Sequence, residues 1–415
     1  LCPKSFDGSG GGHDCKDIRK GIGSRCRSFA KRREGDGGKG LDLRPDPRLL
    51  FPGHNHRTVR KDILDSTGHD FSKTSTYDYY LPKELIAQDP VEPRDSSRLM
   101  VLHKDSGIRE HKIFRDIKDH LREGDLLVLN DTRVLPARVT GVKKNGEAKV
   151  EIFFLSPTTA GSEKWTALVR PGRKLKEGSR VILGDDTEVT VGERLEDGVR
   201  YIHFSPSDDP FAIIHKYGTT PLPHYITETH AEPERYQTVY SRPEKENSVA
   251  SPTAGLHFTD RLLKEIREMG ADETFVTLQV GLGTFRPVKT EDISQHIMHS
   301  ELCEVPEDTA AKIRETKARG GRVIAVGTTV VRTLESFALH YGEVRAGRLD
   351  TRLFITPGFD FRVIDALITN YHLPKSTLLM LVSAFAGYDL IMEAYREAVE
   401  MRYRFFSFGD SMFIC

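Results

Sequence analysis

Arg322-Val323-Ile324-Ala325-Val326-Gly327-Thr328-Thr329-Val330-Val331-Arg332 reads as a strand that turns at once into a helix. Val323 to Val326 is an unbroken apolar run of strand length, the pattern of a strand covered on both faces. Gly327 interrupts it where the chain must change direction. Thr328 and Thr329 fall where the orphan N–H groups of a helix begin, which makes this either a seat for a carboxylate or phosphate or a plain helix cap. Strand-like runs recur at 273–280, 352–355, 366–370 and 378–382, with helical patterns at 209–217, 259–269, 307–319, 329–341 and 389–402. That alternation predicts an α/β fold, a largely parallel sheet with helices on its faces. Ligands in such sheets bind outside the carboxyl ends of the strands, so polar groups are expected in the loops after Val280, Val326, Ile355 and Asn370.

Upstream, apolar runs at 99–102 and 126–130 add strands to the same unit. Between them and the second block, residues 134–204 hold short alternating strands separated by Gly, Asn and Asp turns, which predicts a small antiparallel β-barrel inserted into the α/β domain. The expected organisation is therefore a main α/β catalytic domain from 72–133 and 205–415, with the barrel at 134–204. Residues 1–71, rich in glycine and basic residues and poor in apolar ones, read as a disordered or non-native N-terminal extension.

Lys+Arg and Asp+Glu are equal at 61 each, so no global basic field announces a nucleic-acid binder. The five cysteines (Cys2, Cys15, Cys26, Cys303, Cys415) are scattered and make no disulfide framework, which fits a reduced, cytoplasmic compartment. No signal peptide is visible, and the apolar run Leu378 to Ala386 is too short to span a bilayer, so no membrane partner is expected.

Residues 247–259, Asn-Ser-Val-Ala-Ser-Pro-Thr-Ala-Gly-Leu-His-Phe-Thr, form a second focus. Pro252 keeps Ser251 extended, Thr253, Ala254 and Gly255 allow close approach to the main chain, and Thr259 caps an amphipathic helix just after His257. Val280-Gly281-Leu282-Gly283-Thr284-Phe285-Arg286-Pro287 has two of the glycines of a dinucleotide fingerprint, but Pro287 argues against a helix there and a Rossmann site is not expected. His296, His299 and Cys303 have metal-like spacing but too few partners, so no metal is expected; His299-Ser300-Glu301 offers instead a base with its orienting group. Asn130-Asp131-Thr132-Arg133 is a polar turn or a ligand clamp. Basic stretches with Arg170, Arg173 and Lys174, and with Arg402 and Arg404, are solvated faces or parts of a phosphate-binding surface.

Together, and in order, Asn130 to Val134, Pro221-Leu222-Pro223, Tyr236 to Tyr240, Ser248 to Thr259, Val280 to Phe285, His296 to Glu301, Val326 to Thr329, Pro357-Gly358-Phe359, Asn370-Tyr371-His372-Leu373-Pro374, Met380 to Gly387 and Tyr403 to Ile414 resemble the S-adenosylmethionine:tRNA ribosyltransferase-isomerase family. The resemblance runs from about Ser72 to Ile414. It implies an enzyme of queuosine biosynthesis that moves the ribosyl group of S-adenosylmethionine onto a 7-aminomethyl-7-deazaguanine at the tRNA wobble position. The group is isomerised to an epoxycyclopentane, and adenine and methionine leave. S-adenosylmethionine is then a consumed co-substrate, with no other cofactor implied, and the partner is a tRNA bearing a queuosine precursor in its anticodon; a monomer is expected.

That chemistry asks for a base at the acidic C5′ protons beside the sulfonium, and His257, His299 and Glu301 are the candidates. Asp131, Arg133, Thr253, Gly255, Gly281, Gly283, Thr284, Arg286, Gly327, Thr328, Arg332, Asn370 and His372 match substrate-binding blocks, with Arg332 and Gly327-Thr328 proposed for the methionine carboxylate. Arg170, Arg173, Lys174, Arg402 and Arg404 are the tRNA-binding candidates. The sequence departs from the family at Gln279, where histidine is common, and at Asn247, Ser251 and Val330. Two other readings compete: a tRNA-binding protein without catalysis, for which Gln279 speaks, and a conventional methyltransferase, which lacks its glycine-rich first loop here.

Overall fold

The computed structural model describes residues 68–159, 161–184, 187–281 and 288–415; most of the expected N-terminal extension lies outside them. In chain order the main strands are Arg98–Leu102 (β1), Arg109–Ile113 (β2) and Leu126–Asn130 (β3). Next come Arg138–Lys143 (β4), Lys149–Pro157 (β5), Lys164–Arg170 (β6), Arg180–Leu183 (β7), Thr187–Arg194 (β8) and Val199–His203 (β9). The rest are Asp272–Leu278 (β10), Glu301–Val305 (β11), Val323–Val326 (β12), Gly347–Thr351 (β13), Ala366–Asn370 (β14) and Ser411–Ile414 (β15). The helices are Pro210–Tyr217 (α1), Asp260–Glu268 (α2), Glu307–Ala318 (α3), Thr328–Tyr341 (α4), Thr377–Ala386 (α5) and Tyr388–Glu400 (α6).

A nine-stranded sheet runs in the order β13-β11-β10-β3-β12-β14-β15-β1-β2. Its centre, β10-β3-β12-β14, is parallel as predicted. The flanks are not: β11 and β13 continue antiparallel on one side, and β15 runs antiparallel to β14 on the other. The period-2 alternation of strand side chains shows in the two cores. Leu126, Val128, Val323, Ala325 and Leu367 face a core shared with α3, α4, α5 and α6, whereas Leu127, Leu129, Ile324, Val326 and Ile368 face one shared with α2, Phe114, Ile117 and Phe258. Helices on both faces explain why β3 and β12 are apolar without alternation.

The short strands of 134–204 close on themselves: β4-β5-β6-β9-β8-β7 are joined in sequence, and β7 pairs back with β4. The six-stranded antiparallel barrel is filled by its own core, including Trp165, Phe154, Ile152 and Val181, and that core also takes in Ile214 of α1 and Val249.

Two expected strands are absent. Residues 378–382 are helical, inside α5: Ser376 caps the helix by accepting from the Leu379 N–H at 3.1 Å. A short apolar run has no periodicity that separates strand from buried helix, and Leu and Met favour the helix. Residues 352–355 are irregular, and the strand lies just upstream as the polar β13. Among the described residues no single helix is long and apolar enough to cross a membrane.

Candidate active site

A pocket opens at the carboxyl ends of β12 and β14, walled by 250–254, Val280, 327–329, 369–378, Tyr225, Tyr236, Phe406 and Ser407. Of the four predicted loops, those after Val326 and Asn370 line it; Val280 lines it too, residues 282–287 beyond it lie outside the described residues, and the loop after Ile355 is not in the lining. Gly327 follows β12 at φ 94°, a backbone that L side chains rarely adopt, and its N–H donates to Ile368 O at 2.8 Å, binding the turn to β14. No side chain caps α4, so the N–H groups of Thr328 and Thr329 open into the pocket. The start of α5 faces the same space through Ser376, Thr377 and Leu378. Beside it, Lys375 (φ 59°) pairs with Asp78 at 2.7 Å. Two positive helix ends and a cation thus border one cavity.

The opposite wall is aromatic. Tyr225 stacks on Phe406 with ring centroids 4.6 Å apart, and its hydroxyl lies 2.7 Å from Ser407 Oγ. Four buried polar atoms of wall residues, Tyr236 Oη, Ser251 Oγ, Asn370 Oδ1 and Tyr371 Oη, have no hydrogen-bond partner among the described residues. Such atoms cost about 1–3 kcal/mol each when left unpaired, and a ligand would satisfy them. Asn370 is held from its other end, donating through Nδ2 to Phe406 O at 3.0 Å. His372 is buried on the wall 3.0 Å from Thr369 Oγ1, and burial holds its pKa down at about 3.

The predicted residues divide sharply. Thr253, Gly327, Thr328, Asn370 and His372 line the pocket. His257 stands behind that wall. It is buried, stacked on Phe114 at 5.0 Å, with Nδ1 2.7 Å from Ser97 Oγ, and burial lowers its pKa to about 3. The Asn370 amide meets the ring and favours its proton, short of a hydrogen bond of normal geometry. Gly255 is a packing position, since a Cβ there would fall 1.9 Å from the Tyr240 hydroxyl.

Others lie away from the cavity. Glu301 forms a buried ion pair with Arg332, and its Oε1 accepts from the Gly281 N–H at 3.0 Å. Arg332 also donates to Leu353 O at 3.1 Å. Arg332 thus has a carboxylate partner and does not wall the pocket, while its Nη2 is buried without a hydrogen-bond partner among the described residues. His299 is exposed. Cys303 is buried and donates its thiol to Leu349 O at 3.1 Å, so the His296–His299–Cys303 spacing assembles no cluster. Asp131 is buried, accepting from Thr277 Oγ1 at 2.6 Å and facing Arg242 at 3.3 Å; burial raises its pKa. Arg133 grips Glu234 with two bonds of 3.0 and 2.8 Å. These two brace the 234–246 segment. Gly283, Thr284 and Arg286 lie outside the described residues.

Arg170, Arg173 and Lys174 are exposed at the end of β6 and the turn after it. Arg402 is exposed, whereas Arg404 is half-buried and donates to Asp89 O. Tyr225, Ser376, Lys375, Phe406 and Ser407 were not singled out from the sequence. The flanking Pro221-Leu222-Pro223 and Tyr403 to Ile414 blocks were the available signal, but no local pattern brings them to β14.

A family model described as "Queuosine biosynthesis protein" matches residues 74–414. A Thermotoga maritima S-adenosylmethionine:tRNA ribosyltransferase-isomerase is 53% identical over 343 residues, covering 82% of this chain and 99% of that protein. The protein of the same name from Thermosipho africanus is 55% identical with the same coverage. A crystal structure of S-adenosylmethionine tRNA ribosyltransferase from Thermotoga maritima aligns at 44% identity over 82% of this chain and 99% of that one, with a TM-score of 0.48.

Proposed function

The chain belongs to the queuosine biosynthesis protein family, and from that premise we propose that its pocket holds S-adenosylmethionine while a tRNA presents a 7-aminomethyl-7-deazaguanine wobble base. The ribosyl group passes to that base and is isomerised to the epoxycyclopentane of epoxyqueuosine, with release of adenine and methionine. The observation that most supports this reading is the convergence of two helix N-termini with the unpartnered Ser251 Oγ and Asn370 Oδ1 in one pocket.

In this reading the methionine carboxylate sits between the starts of α4 and α5, near Lys375, where N–H groups and helix dipoles favour an anion. A purine-like ring lies on the Tyr225–Phe406 face and hydrogen-bonds with Ser251 and Asn370. His257 is a positioning residue: Ser97 holds its Nδ1, and its ring backs the Asn370 amide from behind the wall. His372, neutral and held beside Thr369, faces the bound substrate from the described wall. Glu301 and Arg332 hold the Gly281 turn, and Arg170, Arg173, Lys174, Arg402 and Arg404 meet tRNA phosphates. No resident cofactor is needed, because S-adenosylmethionine is consumed. We read 134–204 as an insert in a main domain of 72–133 and 205–415, and the protein as a cytoplasmic monomer.

The test is to incubate the protein with S-adenosylmethionine and tRNA carrying the aminomethyl base, then quantify adenine and methionine. Equal release of both, absent with unmodified tRNA, is expected. Tight tRNA binding without release would favour the non-catalytic binder, and Gln279→His would then be the variant to assay.

A further inference from the structure

At the far end of β1, three donors from three elements meet. His103 follows β1, Glu110 lies in β2, and His120 ends the short helical segment Phe114–His120. The β1–β2 hairpin sets the first two: Leu102 pairs with Arg109, and the His103 N–H donates to Ile108 O at 3.0 Å. His120 is fixed through its carbonyl, which accepts from Arg322 at 2.9 Å. One ligand atom from each residue lies within 4.8 Å of the other two, and His103 Nε2 is 2.9 Å from Glu110 Oε1.

We propose that His103, Glu110 and His120 form a binding site for one divalent transition-metal ion of the zinc class, which clips the β1–β2 hairpin to the segment after it. Two imidazoles and a carboxylate are a zinc donor set, with a fourth position left to water. Bonds of 2.0–2.2 Å place tetrahedral donors roughly 3.3 Å apart, so closure from the observed spacing needs only small side-chain movements. His120 Nε2 supplies the second observation: it is buried and has no hydrogen-bond partner among the described residues. An ion at the centre of the triad would satisfy it. The surrounding groups suit an outer shell. Cys415 Sγ lies 3.5 Å from His103 Nδ1, the ring nitrogen that an Nε2-bound metal leaves as a donor. Lys112 Nζ holds the other carboxylate oxygen of Glu110 at 3.3 Å. None of the three ligands lines the reaction pocket.

The test strips the purified full chain with chelator, titrates it with Zn2+ by calorimetry and with Co2+ by visible absorption, and repeats both on E110Q and H120Q. One equivalent is expected to bind, with the cobalt spectrum of a four-coordinate site, and each variant should weaken binding at least about tenfold. Zinc should raise the melting temperature of the parent and not of the variants, whose circular dichroism should match the parent without metal. Adenine release should be the same with zinc and with chelator. Absence of saturable binding would overturn the proposal, leaving an ordinary His103–Glu110 ion pair. Binding that survives both substitutions would overturn it as well, placing the metal at other histidines.

Discussion

His257 and His372 are both buried neutral, with pKa values lowered to about 3 by loss of solvent. An unfolded chain protonates the same residues near 6.5, so between about pH 6.5 and 3 it binds more protons than the native state. Their contribution is therefore present above 6.5 and drains away as pH falls, by up to about 1.4 kcal/mol per unit for each histidine. Denaturant titrations from pH 7 to 4.5 should show this slope, and His257→Gln should flatten it. If His257 orients Asn370 without moving protons itself, His257→Gln should also retain more turnover than His257→Ala, with the pH–rate profile unchanged in shape. At the other side of the sheet, Glu301→Ala would leave Arg332 buried without its partner and should cost about 3–5 kcal/mol, read as a lowered denaturation midpoint. The sequence exposed His257 through its unusual neighbours, but its role was not legible. The hydroxyl that fixes it belongs to Ser97, 160 positions away, and no local spacing encodes that contact.

At the scale of elements, the α5 cap joins stability to binding, because Ser376 holds the first turn that borders the pocket. Ser376→Ala should lower stability by about 1 kcal/mol and raise the KM for S-adenosylmethionine more than it lowers kcat. The helices α1, α2, α3, α4 and α6 were expected from the sequence, and α1 and α2 carry clear start signals in Asp209 and Thr259. The barrel was legible from alternation and turns. What escaped was decided by tertiary context: α5, apolar along its whole length, and β11, whose Glu301 and Cys303 drew a chemical reading instead of a strand. The parallel centre followed from strand–helix alternation, whereas the antiparallel flanks depend on strands with little apolar character, as in β2 and β13.

For the whole molecule, zero net charge makes local basic surface decisive. Replacing Arg170, Arg173 and Lys174 together by Gln should weaken tRNA binding and flatten its salt dependence by about two logarithmic units per decade, leaving S-adenosylmethionine affinity unchanged. A salt slope identical to the parent's would remove the barrel from the tRNA surface. The order of the large sheet has another outcome. β15, residues 411–414, lies between β14 and β1, and among the described residues the β1–β2 hairpin joins the rest of the sheet only through it. A ribosome making this protein therefore delivers β1 more than three hundred residues before the strand it must lie beside. Until then the early hairpin carries a bare edge through synthesis, and it becomes part of the sheet only when residue 414 has been added.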